Sequence, residues 1–469
     1  MLREDYPGWG MRGLLERLRE ALEPGAGLVL VGGAVRDRLM GRPEGDWDLA
    51  TALLPDEVMA RAKAAGLRVI PTGLQHGTVT VMLDGHPAEI TTYRGDDAYL
   101  DGRRPVSVRL GVALVEDLAR RDFTVNAMAL PVEALEAEDW RSRVVDPFGG
   151  RADLEAGLLR AVGDPLQRFA EDGLRPLRAC RFAARLGFAV EPATLAAIPE
   201  RLEVARKIAV ERVFQELEKL LCAQHPATGL RLLEGSGLLD LWLPELRPLV
   251  GLDQNRYHDL DAWEHTLAVV DGCPAEATLR WAALLHDLGK ARTRSLGPDG
   301  VAHSYGHEEH SGRLAAAVLN RLKASRALVD SVLALVRHHG QRPTPEWSDA
   351  ACRRLLARLE GDRVSLDAWA ALRCADLGGR ANHLPEALDA FAVQLERLRR
   401  LAHAKPPLAI RDLALNGRDL MARLSRSGGP WLGELQAHLL AQVVDDPCLN
   451  TPEALESIAR AWMNSTPSR

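Results

Sequence analysis

The chain changes character once, and that change limits its architecture more than any other feature. Through the first third, short apolar or β-branched runs alternate with turn residues. Gly27–Gly33 reads as a strand running into paired glycines, followed by a helix from about Ala34 to Met40. Further strands are predicted at Trp47–Ala50, Val69–Ile70, Thr78–Leu83 and Ala88–Tyr93, with turns at Pro71–Gly73 and Asp84–Gly85. Beyond Asp153 strands nearly stop. Ala, Leu and Arg then recur at helical spacing between breaks such as Gly163–Pro165, Gly235–Gly237, Gly297–Gly300 and Gly428–Pro430. The expected class is α+β: a small mixed α/β head over residues 1–140, then helices throughout. The helical part divides into a neck (141–225), a body (226–345, extending to Asp376 in the helices that follow) and a tail (346–469).

Composition bounds the function. At roughly 100–200 residues per domain, 469 residues suggest three or four units. A net charge of −6 argues against a surface uniformly coated for nucleic acid, but leaves room for a local basic groove. Six scattered cysteines without a C-x-x-C read as free thiols in a reducing compartment. The charged N-terminus does not resemble a signal peptide, and no run approaches ~18 apolar residues. A cytoplasmic protein with no membrane partner is expected.

In the head, Gly32-Gly33 precedes Arg36 and then Asp46-Trp47-Asp48. Paired glycines after a strand permit close backbone approach to a phosphate, and the helix that follows presents free N–H groups to it. Arg36 would add a charge-assisted contact. Residues two apart on a strand share a face, so Asp46 and Asp48 point together. Such a pair suits divalent-metal phosphoryl transfer, with Glu89 on a neighbouring strand as a candidate third ligand.

The segment "LVGGAVRDRLMGRPEGDWDLAT" (Leu30–Thr51) resembles the signature of class II tRNA nucleotidyltransferases and bacterial poly(A) polymerases, members of the polymerase-β-like superfamily. Four further segments match in order: "RRDFTVNAMA" (Arg120–Ala129), "GRADL" (Gly150–Leu154), "EDGLRPLRACRF" (Glu171–Phe182) and "ERVFQELEK" (Glu211–Lys219). The resemblance implies that Arg121 contacts the nucleotide triphosphate. It implies that Asp172 and Arg175, placed on one predicted helix with Glu171, Arg178 and Arg181, read the Watson–Crick edge of C or A. Arg178 and Arg181 would hold phosphates, and the fifth motif would brace that helix. The family often has proline where this chain has Gly173. Between the first two motifs, Tyr93–Leu110 reads as a loop with a basic tip at Arg103–Arg104, an expected RNA contact; its "DGRRP" form resembles the CCA-adding branch.

Eight of the fourteen histidines fall between His258 and His339. Imidazoles and carboxylates spread over several helices can converge on divalent metal. His265, His286-Asp287, His307, His339 and Asp376, in the order H…HD…H…H…D, resemble the HD phosphohydrolase superfamily. His338 and His310 are alternatives to His339 and His307. A divalent transition metal or Mg²⁺ would occupy this site, and Mg²⁺ the head.

The reading that follows is addition of CCA to the tRNA 3′ end from CTP and ATP, without a nucleic-acid template and without DNA, joined to HD-type phosphohydrolysis. The basic segment Leu395–Gly429 would contact tRNA. Alternatives are an enzyme adding only A or only CC, a poly(A) polymerase, an HD metallophosphohydrolase that uses the head for capture, and a non-catalytic RNA-binding protein.

Overall fold

The apolar run before the glycine pair forms β1 (Val29–Val31), with all three residues buried. Unbroken apolar runs of this kind suit strands covered on both faces. After it come β2 (Asp48–Thr51), β3 (Arg68–Ile70), β4 (Thr78–Leu83) and β5 (His86–Thr92). A separate ribbon pairs β6 (Arg94–Asp96) with β7 (Val108–Leu110), so the flanks of the expected loop run antiparallel. With β8 (Ala129–Pro131), the main sheet has the order β3-β4-β5-β2-β1-β8. The protein is seen as a computed structural model that describes residues 8–42, 47–84, 86–96, 108–253, 260–298, 301–379 and 384–465. Asp46, Arg103 and Arg104 lie outside the described residues.

Every pairing in the main sheet is antiparallel except that of β2 with β5, which places Asp48 directly opposite Glu89. Parallel neighbours require a crossover. The helix Pro55–Ala64 begins this one and buries Val58 and Ala62. Leu15, Leu18 and Leu22 of the helix Gly8–Leu22 join Leu30, Leu49, Val79, Val81 and Ile90 in the core of the head.

Packing divides the chain into two compact units: Met1–Leu220 with Thr228–Trp242, and Leu221–Ala227 with Leu243–Arg469. The expected head and nearly all of the neck fall in the first. The tail and most of the expected body fall in the second. Among the described residues outside the head, the strands are two residues long: Leu158–Leu159 with Ala189–Val190 and Ser295–Leu296 with Ala302–His303.

One helix differs from expectation. The predicted single helix through Glu171–Phe182 is two, Pro165–Glu171 and Arg175–Leu186. Asp172 between them is extended (φ −140°, ψ 107°), and its Oδ1 accepts from Leu174 N at 3.0 Å. Aspartate competes in this way for local N–H groups and interrupts helices.

In the second unit, the helices Ala262–Gly272, Ala277–Leu285, His307–Arg321, Arg326–His338 and Leu366–Gly378 form one packed group. Their starts are set by sequence: Asp261, Ser325 and Ser365 each accept an N–H of the first turn. A separate C-terminal core gathers Leu420, Leu435, Leu439, Val443 and Leu455. Among the described residues no helix is long and apolar enough to cross a membrane.

Candidate functional site

The glycine turn, the carboxylate strand and the arginine helix of the first unit border one cavity of about 390 Å³. Gly32 has φ 68° and ψ −129°, a conformation that needs glycine. It also needs the space, because a Cβ there would stand 2.8 Å from Arg121 Nη1. The first and second motifs therefore meet at this turn. Arg121 is held by Asp117 at 3.3 Å, while its buried Nε has no hydrogen-bond partner among the described residues. A buried guanidinium donor left over beside a glycine turn suits an anion.

Eight arginines line the cavity (Arg36, Arg120, Arg121, Arg175, Arg178, Arg181, Arg185, Arg212) against three carboxylates, Asp48, Asp122 and Asp172. That excess of cations matches a triphosphate. Asp48 is exposed at the start of β2, and Glu89, in register with it on β5, is exposed too. Glu89 is not part of the cavity lining.

Several expected phosphate contacts are also tied into the protein. Arg36 is fully buried, 2.7 Å from Asp37 and 2.5 Å from Asn126 Oδ1. Arg178 pairs with Asp122 at 2.6 Å, and Arg181 with Glu216 of the fifth motif. Burial works against ionisation of Asp122, but Arg178 and the Asn126 hydrogen bond hold its carboxyl at about 2. Arg36, Arg178 and Arg181 surround the Phe182 ring at 5.4, 5.4 and 3.9 Å from its centroid. The network thus fixes three guanidiniums on one aromatic platform.

The two residues expected to read the base also have partners. Arg175 donates to Arg168 O (2.8 Å) and Arg120 O (2.7 Å), and pairs with Glu171 at 2.6 Å. Asp172 pairs with Arg212 at 3.2 Å instead of with Arg175. Asp122, Asn126, Phe182, Arg185 and Arg212 also border the cavity, and sequence reasoning assigned none of them a role in nucleotide binding. Four of them stand inside quoted motifs, so the signal was present without a role attached.

Gly173, where the family often has proline, sits against backbone. A Cβ there would lie 2.6 Å from Val204 O and 2.7 Å from Val204 C. Gly173→Ala is expected to destabilise the first unit by about 1–3 kcal/mol and to push Asp172 off its place. A urea melt, together with measured discrimination among the four nucleoside triphosphates, checks both effects.

In the second unit, His265, His286, Asp287, His307, His339 and Asp376 come together. Asp287 is the hub. Its oxygens lie 2.9 Å from His286 Nε2, 3.3 Å from His307 Nε2, 3.6 Å from His265 Nε2 and 3.7 Å from His339 Nε2. Asp376 Oδ1 is 3.2 Å from His265 Nε2. All four imidazoles turn Nδ1 to a backbone carbonyl: Gly379 (3.1 Å), Ala283 (2.8 Å), Ser304 (2.8 Å) and Val336 (2.7 Å), for His265, His286, His307 and His339 respectively. A carbonyl only accepts, so each Nδ1 carries a proton, and wherever the ring is neutral its Nε2 lone pair faces the centre. Buried His286 Nε2 and Asp287 lack a hydrogen bond of ordinary geometry despite their 2.9 Å approach. Two apposed lone-pair groups suit a shared cation, and the donor set of imidazoles and carboxylates fits a divalent metal.

Burial opposes ionisation of Asp287, but His286 and Lys290 hold it well below the usual carboxylate range. Burial lowers His307, but its bond to Asp287 outweighs this and raises it, whereas burial lowers His339. The neighbouring histidines stand apart. His338 Nε2 pairs with Asp362 at 2.7 Å, and the cavity beside the cluster is lined by His307 and His339, not by His310 or His338.

Sequence profiles of three families match the chain. They are described as Poly A polymerase head domain (residues 28–160), probable RNA and SrmB-binding site of polymerase A (187–249), and tRNA nucleotidyltransferase domain 2, putative (307–459). The CCA-adding enzyme of Geobacillus stearothermophilus is 33% identical over 96% of this chain and 95% of its own. The A-adding tRNA nucleotidyltransferase of Deinococcus radiodurans is 36% identical over 94% and 96%. Among solved structures, the Bacillus stearothermophilus CCA-adding enzyme in complex with CTP has a TM-score of 0.70 at 29% identity, covering 98% of both chains. The Thermotoga maritima CCA-adding enzyme complexed with tRNA shares the fold, with a TM-score of 0.58 at 20% identity over 98% of this chain and 97% of its own. Nucleotidyltransferases of this kind use divalent metals. With relatives above 30% identity along nearly its whole length, the chain belongs to the class II CCA-adding enzyme family.

Proposed function

We propose that this chain adds CCA to the 3′ end of tRNA from CTP and ATP, with no nucleic-acid template. The observation that carries this reading is the cavity where Asp48 and the Gly32 turn share a lining with eight arginines. The tRNA 3′ oxygen bonds to the α-phosphorus, the bond to the bridging oxygen breaks, and pyrophosphate leaves. Arg121 and the turn bind the triphosphate. Arg178 and Arg181, fixed by Asp122 and Glu216, supply positive potential without moving. Asp172 accepts from the exocyclic amine of C or A, and Arg175 donates to ring acceptors. Asp48 and Asp46, with Glu89, would hold Mg²⁺, which there lowers the pKa of the attacking hydroxyl and neutralises the departing charge.

Three tRNA substrates test this: one ending before the first C, one ending in CC, and one complete. Extension of the first by three nucleotides, and of the second by one A, is expected. Failure on the first with success on the second would establish the A-only alternative, which the 36% identity to an A-adding enzyme favours as the second reading.

A second activity is proposed for the other unit: hydrolysis of phosphate esters at the His/Asp cluster, with a divalent transition metal or Mg²⁺ held by His265, His286, Asp287, His307, His339 and Asp376. The tail supplies tRNA contacts through its surplus arginines, although Arg397, Arg411 and Arg423 are already paired with Asp349, Glu360 and Glu456. The six cysteines remain free thiols, which suits the reducing cytoplasm.

A further inference from the structure

Arg175, Arg178, Phe182 and Arg185 border the cavity of the first unit from one helix, Arg175–Leu186. Their spacings of three, four and three put them on one stripe. From Arg175 to Arg185 the helix rises about 15 Å, a length comparable to that of an extended nucleoside triphosphate. The side chains become more accessible along the stripe: that of Arg175 is 9% exposed, that of Arg178 32% and that of Arg185 47%. Their ties loosen in the same order. Arg175 is held by Glu171 and two backbone carbonyls, and Arg178 by the buried Asp122. Arg185 meets Asp37 alone among the described residues, through Nη2 at 2.9 Å. An ion pair with a half-exposed member costs little to open.

Asp37 is also shared. Its Oδ1 accepts from Arg36 Nε at 2.9 Å and from Arg36 Nη2 at 2.7 Å, while its Oδ2 faces Arg185. One carboxylate thus serves two guanidiniums, and a positive charge is left over. That surplus stands at the glycine turn, because a Cβ on Gly33 would lie 3.4 Å from Arg36 Nη2. The stripe therefore runs from the base-reading end at Arg175 to the turn that binds the triphosphate, and its most accessible guanidinium comes last. We infer that Arg185 binds the terminal phosphate of the incoming nucleotide, so that the cavity selects triphosphates over diphosphates. This deepens the nucleotidyl-transfer reading of the cavity and rests on it. No bond to the terminal phosphorus forms or breaks. Arg185 swings from Asp37 to the γ-phosphate oxygens and keeps them as they leave within pyrophosphate, while Asp37 keeps its bonds to Arg36.

The test measures calorimetric binding of ATP and ADP to the full chain with Mg²⁺ and without tRNA, so that nothing is transferred. Wild type, Arg185→Ala, Arg185→Gln and Arg185→Lys are compared. In Arg185→Ala and Arg185→Gln the affinity for ATP is expected to fall about tenfold or more, since a hydrogen bond between two charged groups is lost. Affinity for ADP is expected to stay as in wild type, which also shows that each variant is folded. Arg185→Lys should recover part of the loss as a point charge. The ratio of the two affinities is the deciding quantity, because a purely structural role would weaken both nucleotides alike. Equal weakening in both variants, or no weakening of ATP, overturns the assignment and leaves the nucleotidyl-transfer reading standing. Unchanged ATP binding with a raised KM for tRNA places Arg185 on the primer and overturns it too. If wild type binds neither nucleotide, the reading of the cavity fails, and the assignment of Arg185 with it.

Discussion

Replacing Asp48 with alanine should lower tRNA extension by on the order of 10³-fold, with folding stability changed by no more than about 0.5 kcal/mol. The two numbers diverge because of where the side chain sits. Asp122 is engaged by Arg178, and Asp172 by Arg212 and Leu174 N. Asp48 is exposed at the strand start, in register with Glu89. Removing it from a cavity lined by eight arginines leaves triphosphate binding largely in place while stripping the carboxylate needed at the reacting oxygen. Asp48→Asn should fail as badly, since shape without charge cannot hold a cation. Single-turnover extension of labelled tRNA and a urea melt on the same samples check the pair of outcomes. Activity within about tenfold of wild type would remove Asp48 from the mechanism.

The second large effect is expected at Asp287. Asp287→Asn keeps the size of the hub but removes the charge that four Nε2 atoms and Lys290 surround. In chelator-treated wild type, added Mn²⁺ at about 100 times its dissociation constant should stabilise the protein by about 2.7 kcal/mol, because a ligand that binds only the folded state shifts the folding equilibrium. In Asp287→Asn that gain should vanish, and phosphate-ester hydrolysis should drop by on the order of 10³-fold. Metal-dependent melting reads the site without relying on turnover. Nucleotide addition in the same preparation reports whether the first unit has survived. Undiminished metal stabilisation in the variant would show that the cation sits elsewhere.

Both sites were legible in the sequence to the extent that their residues carry chemistry on their own. Paired glycines after an apolar strand, followed closely by Asp46-Trp47-Asp48, point to a phosphate turn beside a metal-binding pair. His286-Asp287 with histidines on other helices points to a metal. What could not be read was who holds each group. Arg185 reaches Asp37 across 148 positions, and Arg175 reaches Arg120 O across 55. No local periodicity encodes such pairs. The same limit hid the partners of Arg178 and Arg181, because Asp122 and Glu216 lie on other segments. The helix that breaks at Asp172 was missed for a different reason. Helical spacing runs straight through Glu171–Phe182, and nothing in it shows that Asp172 takes an extended backbone and accepts from Leu174 N.

The parallel pairing of β2 with β5 has a consequence for inheritance of error. Asp48 and Glu89 share a face only because Leu49 and Ile90, their immediate followers, are buried together on the other side of the same ladder. A slip of one residue would turn one carboxylate inward and expose an apolar side chain. The apolar residues are thus the guardians of the carboxylates' alignment. A lesion at Ile90, which touches no substrate, can silence the head as surely as a lesion at Asp48, and a gene scanned only at its acidic positions would not reveal it.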